Sequence, residues 1–109
     1  DNSNLLVVKK DGAREPFQRE KLRQGIMHAC AKLPISSERI DAAVMRIEQR
    51  LVETRKGEIP SRTIGEQVMR ELRRLDKVAY IRFAAVYREF AELADFEREV
   101  GRLLRKAKR

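Results

Sequence analysis

Leu5-Leu-Val-Val-Lys-Lys-Asp-Gly-Ala-Arg-Glu-Pro-Phe17 is the stretch whose reading decides the fold. An apolar run ends in two cations, Asp11-Gly12 follows, and a second short run leads into a helical pattern opening at Lys21. Asp-Gly between such runs is a strong hairpin signal, because Gly takes the positive φ that a tight primed turn demands. The expected order is strand, turn, strand, helix, with Lys9 and Lys10 closing the first strand. Lys9, Lys10 and Lys21 then gather around one small lid. Three ammonium groups at a helix entrance suit a polyphosphate.

Working outward, Leu22, Ile26, Ala29, Cys30 and Leu33 fall at helical spacing, and Pro34 closes that segment. Ser36 and Ser37 are N-cap candidates for a second helix with the stripe Ile40, Val44, Ile47 and Leu51, and Gly57 lies past its end. Arg46, Glu48, Gln49 and Arg50 are expected to face water. Glu58-Ile59-Pro60 fits a third, edge strand, since Pro60 has no N–H to give a ladder. Ser61 is expected to cap a third helix with Ile64, Val68, Leu72 and Leu75 inward. Asp76 starts a fourth, from Val78 to about Leu93, whose apolar faces predict the most buried helix. A last basic helix opens at Asp95 or Phe96 and frays at its end. The fold class is mostly α (α+β): a small three-stranded β cap on a four-helix bundle, plus a C-terminal basic helix.

At 109 residues the chain is one domain, with 42% hydrophobic and 39% charged content. Val78 to Tyr87 is about half the length of a membrane span, and no secretory pattern opens the chain, so a soluble, cytoplasmic protein is expected. The net charge of +8 is uneven, because six basic residues stand against Glu99 from Arg98 onward. That tail could touch nucleic acid; a solvated helix end complementing its dipole is the plainer reading.

Enzyme signatures are missing. His28 is the only histidine and has no Cys or carboxylate at a metal-ligand spacing, and Cys30 alone can form neither a disulfide nor a zinc site. There is no phosphate loop, no G-x-G-x-x-G and no nucleophile elbow. Binding chemistry is better represented. Glu15, on the returning strand, could accept hydrogen bonds from an adenine amino group or from ribose hydroxyls. Lys21 stands in a first helical turn, where acids are preferred, and a cation there suggests an anion nearby. Ser61 joins a hydroxyl to a helix N-terminus. Each feature also has an ordinary reading: Lys-Lys-Asp-Gly occurs in common hairpins, and Ser61 is a routine cap.

Taken together, Leu5 to Phe17, then Arg19-Glu-Lys-Leu22, then Ile59-Pro-Ser-Arg62 resemble the ATP-cone, a regulatory adenine-nucleotide-binding domain. Leu75 to Phe90 looks like the fourth ATP-cone helix of the NrdR-type repressors of ribonucleotide reductase genes. The resemblance covers about residues 5–96 and implies a nucleotide-binding unit over residues 1–96, followed by a basic helix or tail over 97–109. It implies that Val7 lines the adenine site, that Lys9 and Lys10 hold phosphates and the ribose edge, and that Glu15 reads the adenine side. Lys21 would reach phosphate, Leu22 would pack on base or sugar, and Ser61 stands where the family often has Thr. Tyr80, Arg82 and Tyr87 are further implied contacts, although both tyrosines also read as core.

The implied ligands are ATP and dATP, bound as effectors and not consumed, with nucleotide-dependent homo-oligomerisation as the output. NrdR-type repressors also carry an N-terminal four-cysteine zinc ribbon that contacts DNA. Cys30 alone cannot build such a ribbon, so either that segment has been removed or the chain is of another ATP-cone type; zinc and DNA are expected only with the ribbon, and no membrane partner is expected. The alternative is the N-terminal allosteric ATP-cone of a ribonucleotide reductase large subunit, against which the basic tail and the end at Arg109 argue. A third reading, a structural bundle holding DNA by its basic tail, predicts salt-dependent affinity indifferent to nucleotide.

Overall fold

Val7 is the pivot of the small sheet. In the computed structural model, which describes residues 4–87 and 93–107, β1 (Leu6–Val8) lies between β2 (Arg14–Pro16) and β3 (Glu58–Pro60). The β1–β2 pair is antiparallel with Val7 opposite Glu15, and the β1–β3 pair is parallel with Val7 opposite Ile59. Val7 and Ile59 are buried while their strand neighbours are more exposed, so alternation turns one face of the sheet onto the helices. Pro60 sits on the outer strand, as the sequence requires.

The hairpin differs from its expected form. Lys9 and Lys10 lie beyond β1. The Lys9 N–H donates to Ala13 O at 2.8 Å and the Gly12 N–H to Lys9 O at 2.9 Å. Only Gly12, at φ 89°, has positive φ in this loop, whereas a primed Asp-Gly turn needs positive φ at Asp11 as well. The connection is a three-residue loop with Gly12 in the left-handed position, and Asp11 Oδ1 accepts the Ala13 N–H at 2.9 Å. Lys9 closes the hairpin with its backbone bond to Ala13 just past β1, and Lys10 stands in the loop.

Among the described residues there are five helices: α1 (Arg19–Ala29), α2 (Ser37–Glu53), α3 (Ser61–Leu75), α4 (Lys77–Tyr87) and α5 (Leu93–Ala107). The expected α+β architecture is present. Leu22 and Ile26 of α1, Ile40, Val44, Ile47 and Leu51 of α2, and Val68 and Leu72 of α3 meet in one core. Ser36 Oγ accepts the Arg39 N–H at 3.2 Å to start α2. Asp76 Oδ1 accepts the N–H groups of Val78 and Ala79 at 2.8 and 3.2 Å to start α4. Among the described residues no helix is long and apolar enough to cross a membrane.

Three further expectations are corrected, and one falls outside the described residues. The first helix ends at Ala29, before Leu33 and Pro34, because the chain turns through Lys32 at φ 63°. Ser61 is the first helical residue of α3, preceded by Pro60 as N-cap, and its hydroxyl makes no capping bond. Helix α4 is not the most buried: Ala79, Tyr80 and Ala84 form a narrow seam, while Val78 and Val86 are 50% and 78% exposed. Its expected continuation to Leu93 crosses residues 88–92, outside the described ones, as does the fraying end at 108–109.

Arg46 and Arg50 do not simply face water. Both reach the fully buried carboxylate of Glu71 on α3, at 2.9 and 2.6 Å, and Arg50 also donates to Gln67 at 2.5 Å. Helix α5 joins the bundle through buried Leu103 and through Glu99, which accepts the Tyr80 hydroxyl proton at 2.5 Å.

Candidate functional site

Between the inner face of the sheet, α1, α3 and the end of α4 lies a hollow of about 340 Å³. Val7, Phe17, Leu22, Ile64, Val68 and Phe83 give it apolar walls, while Glu15, Lys21, Ser61 and Tyr87 supply polar groups. A mostly apolar hollow with a few converging polar groups is the common form of a small-molecule site. Each element places its residue for a local reason. The strand pleat turns Val7 inward, and the returning strand puts Glu15 directly opposite it. Lys21 and Leu22 sit in the first turn of α1, with Leu22 buried and Lys21 exposed at the rim.

Charge at the rim is organised around Glu15. Lys9 Nζ lies 3.5 Å from Glu15 Oε2 and Lys21 Nζ lies 3.4 Å from Glu15 Oε1. One carboxylate thus gathers two of the three ammonium groups expected around the lid. Lys10 points elsewhere. With Arg62, Arg70 and Arg73 it lines an adjoining cleft of about 850 Å³, and Ser61 and Tyr87 border both spaces. Sequence reasoning did not single out the arginines of that cleft. Their spacing along α3, positions 62, 70 and 73, places them on one helical face and could have revealed them.

Besides Lys10, and Lys9, which reaches the rim only through Glu15, two expected site residues are away from the hollow. Tyr80 is fully buried: its hydroxyl binds Glu99, Arg73 donates to it at 3.3 Å, and the Arg73 guanidinium stacks 5.0 Å from the ring centroid. Arg82 turns to the far end of α1, where Nη1 donates to the carbonyls of Ala29 and Ala31 at 3.2 and 2.7 Å. Helical periodicity turns Arg82 away from the face that carries 83 and 87, whereas Tyr80 shares that face and lies about two turns before Tyr87, clear of the hollow.

Tyr87 stays at the hollow because of a glycine with no signal of its own in the sequence. A Cβ placed on Gly65 would stand 2.1 Å from Tyr87 Cε1, so the ring lies directly against the α3 backbone. Its hydroxyl donates to Arg62 O at 2.6 Å, and its ring stacks on Phe83 with centroids 5.7 Å apart. Gly65→Ala should displace Tyr87 and break that bond. The clash costs on the order of 1–3 kcal/mol, partly offset by roughly 1 kcal/mol of helix propensity. Melting curves should show a small net loss in Gly65→Ala and none when Tyr87→Ala is added. Equal losses in both backgrounds would disprove the contact.

Catalytic equipment is thin. His28 is exposed on α1, and Cys30 is buried, its thiol pushed up by desolvation and then by Asp76. Among the described residues no group of His, Cys, Asp and Glu side chains could hold a metal ion.

Fold and site define a class: a β-lidded helical domain whose lid and first helix put cations at the mouth of an apolar hollow. The chain belongs to the ATP-cone family, whose domain model (ATP cone domain) matches residues 5–93. It is 53% identical over 106 residues to the transcriptional repressor NrdR of Pelotomaculum thermopropionicum, covering 97% of this chain and 64% of that protein. The NrdR of Geotalea daltonii is 50% identical over 101 residues (93% of this chain, 67% of that protein). That of Listeria welshimeri is 49% identical over 108 residues, or 99% of this chain and 70% of that protein. The chain therefore spans roughly two thirds of the relatives it matches, which are named as repressors and not as enzymes.

Proposed function

We propose that this chain is the adenine-nucleotide-sensing part of an NrdR-type repressor, taking ATP or dATP as effectors without consuming them. The observation that carries the reading is the convergence of Val7, Glu15, Lys21, Leu22, Ser61 and Tyr87 on one hollow, with Lys9 joined through Glu15. The base lies against Val7 and Leu22 beneath the sheet. The triphosphate takes the lysines from Glu15, whose freed carboxylate accepts hydrogen bonds from the adenine amino group or the sugar hydroxyls. Exchanging one anion for another at the same ammonium groups needs no rebuilding of the fold. Lys10 and the α3 arginines provide cationic surface next to the site for the distal phosphates.

ATP and dATP differ by one 2′-hydroxyl, so polar contacts at the sugar distinguish them and alter how the lid sits on the bundle. The changed surface shifts self-association, and oligomeric state sets the spacing of DNA-binding parts that lie outside this chain, in a zinc ribbon. Reductase gene control is the output of the whole repressor. Calorimetric titration with ATP and dATP, paired with particle size in each state, tests the proposal. Saturable binding of both nucleotides and a size that differs between them are expected. No heat from either at millimolar concentration would sink it.

A further inference from the structure

Arg82 lies outside the hollow, yet it joins the two helices that form facing walls. Helix α1 contributes Lys21 and Leu22, and α4 contributes Phe83 and Tyr87. Where α4 meets the later part of α1, Arg82, Phe83 and Val86 border a gap of about 360 Å³ with Gly25, His28 and Ala29, so packing between the two helices is open there. What fixes the two helices at that end is polar. Arg82 Nη1 donates to Ala29 O at 3.2 Å and to Ala31 O at 2.7 Å. Ala29 is the last residue of α1 and Ala31 lies in the turn just beyond it, at the negative pole of the helix dipole, where a guanidinium is favoured.

We propose that Arg82 is a positioning residue for nucleotide binding. By fastening α4 to the carbonyl end of α1 it sets the width of the hollow and holds the Tyr87 ring over Gly65, without touching the ligand. The affinity effect rests on the nucleotide-binding reading above; the effect on the wall does not. Phe83 follows Arg82 in sequence, and Tyr87 lies a little over one turn further on, so a rotation of α4 released by losing the two bonds moves both rings together. The Tyr87 hydroxyl bond to Arg62 and the close approach to Gly65 would then give way.

The test compares Arg82→Ala and Arg82→Lys with the parent chain by two measurements. The first is the Gly65 Hα resonance without nucleotide, which the adjacent Tyr87 ring displaces from its ordinary position. The second is the affinity for ATP and dATP. We expect Arg82→Ala to return the Gly65 signal toward its ordinary position and to weaken both nucleotides about tenfold. Arg82→Lys, which keeps a cation able to reach one carbonyl, should recover most of both. Should Arg82→Ala not fold, Arg82→Gln serves in its place. An unmoved Gly65 signal with unchanged affinity overturns the proposal. So does loss of affinity in both variants with the Gly65 signal unmoved, which would mark a direct phosphate contact. If the parent chain binds neither nucleotide while Arg82→Ala still shifts Gly65, the nucleotide reading fails and the wall-setting role stands.

Discussion

Replacing Lys9 and Lys21 together by alanine should weaken ATP and dATP binding about a hundredfold, roughly one factor of ten for each ammonium group removed from the phosphates. The melting temperature should hardly move. Both lysine side chains are more than half exposed, at 51% and 64%, and their pairing with Glu15 spans 3.5 and 3.4 Å. Exposed ion pairs of that kind contribute little to stability. Neither residue fills the core, and the hairpin is held by backbone bonds that alanine retains. The separation of the two effects is the useful part. A structural role would lower stability and leave affinity of the folded protein alone, whereas a binding role does the reverse. Titration of the double variant at low and moderate salt checks it, with the parent chain losing affinity more steeply as salt rises. Parent-like affinity in the double variant would remove the lysines from the site.

Why some of this site was legible in sequence and some was not comes down to the range of the interactions. The β1–β2 hairpin, the α1 and α2 stripes and the Asp76 cap depend on neighbours a few residues away and are written locally, whereas β3 joins the sheet from about fifty residues further on. The nearness of Lys9, Glu15 and Lys21 is local too, since a single hairpin delivers it. The hairpin geometry was not legible because one extra loop residue leaves Lys9 just past the strand and Lys10 in the loop, and Asp-Gly suits either loop length. Ser61 lies a single position from where its cap pattern puts it, which is enough to change an N-cap into a first helical residue. The Gly65–Tyr87 contact joins two helices, and nothing in either segment announces it. For Arg82 and Tyr80 the family resemblance marked residues near the site in sequence that structure directs to other tasks.

Glu71 is the largest departure from a surface reading, and Glu71→Ala should destabilise the fold more than any other single substitution where α2 meets α3, by about 3 kcal/mol. Arg70-Glu71 looks like solvated helix face, but Glu71 is fully buried and both its oxygens are taken by α2 arginines. Burial pushes this carboxyl up; the hydrogen bonds and charges of Arg46 and Arg50 outweigh that and hold it below its ordinary value of 4.5. Alanine would leave a void and two cations turned inward without a counter-charge. The arginines are still partly exposed, at 43% and 24%, and can swing toward water, which keeps the loss at the lower end for a broken buried pair. For a domain of this size the loss corresponds to a melting point lower by roughly 15 °C. The sign of the pH dependence follows from the same carboxylate. Because its pKa is depressed on folding, its stabilisation is complete above 4.5 and disappears as pH falls from there through the folded value. Denaturant titrations on either side of that range, at about pH 7 and about pH 3, should therefore show parent and Glu71→Ala far apart at the higher pH and closer at the lower. An equal gap at both would mean that Glu71 acts by filling space, and that its charge does not join α2 to α3.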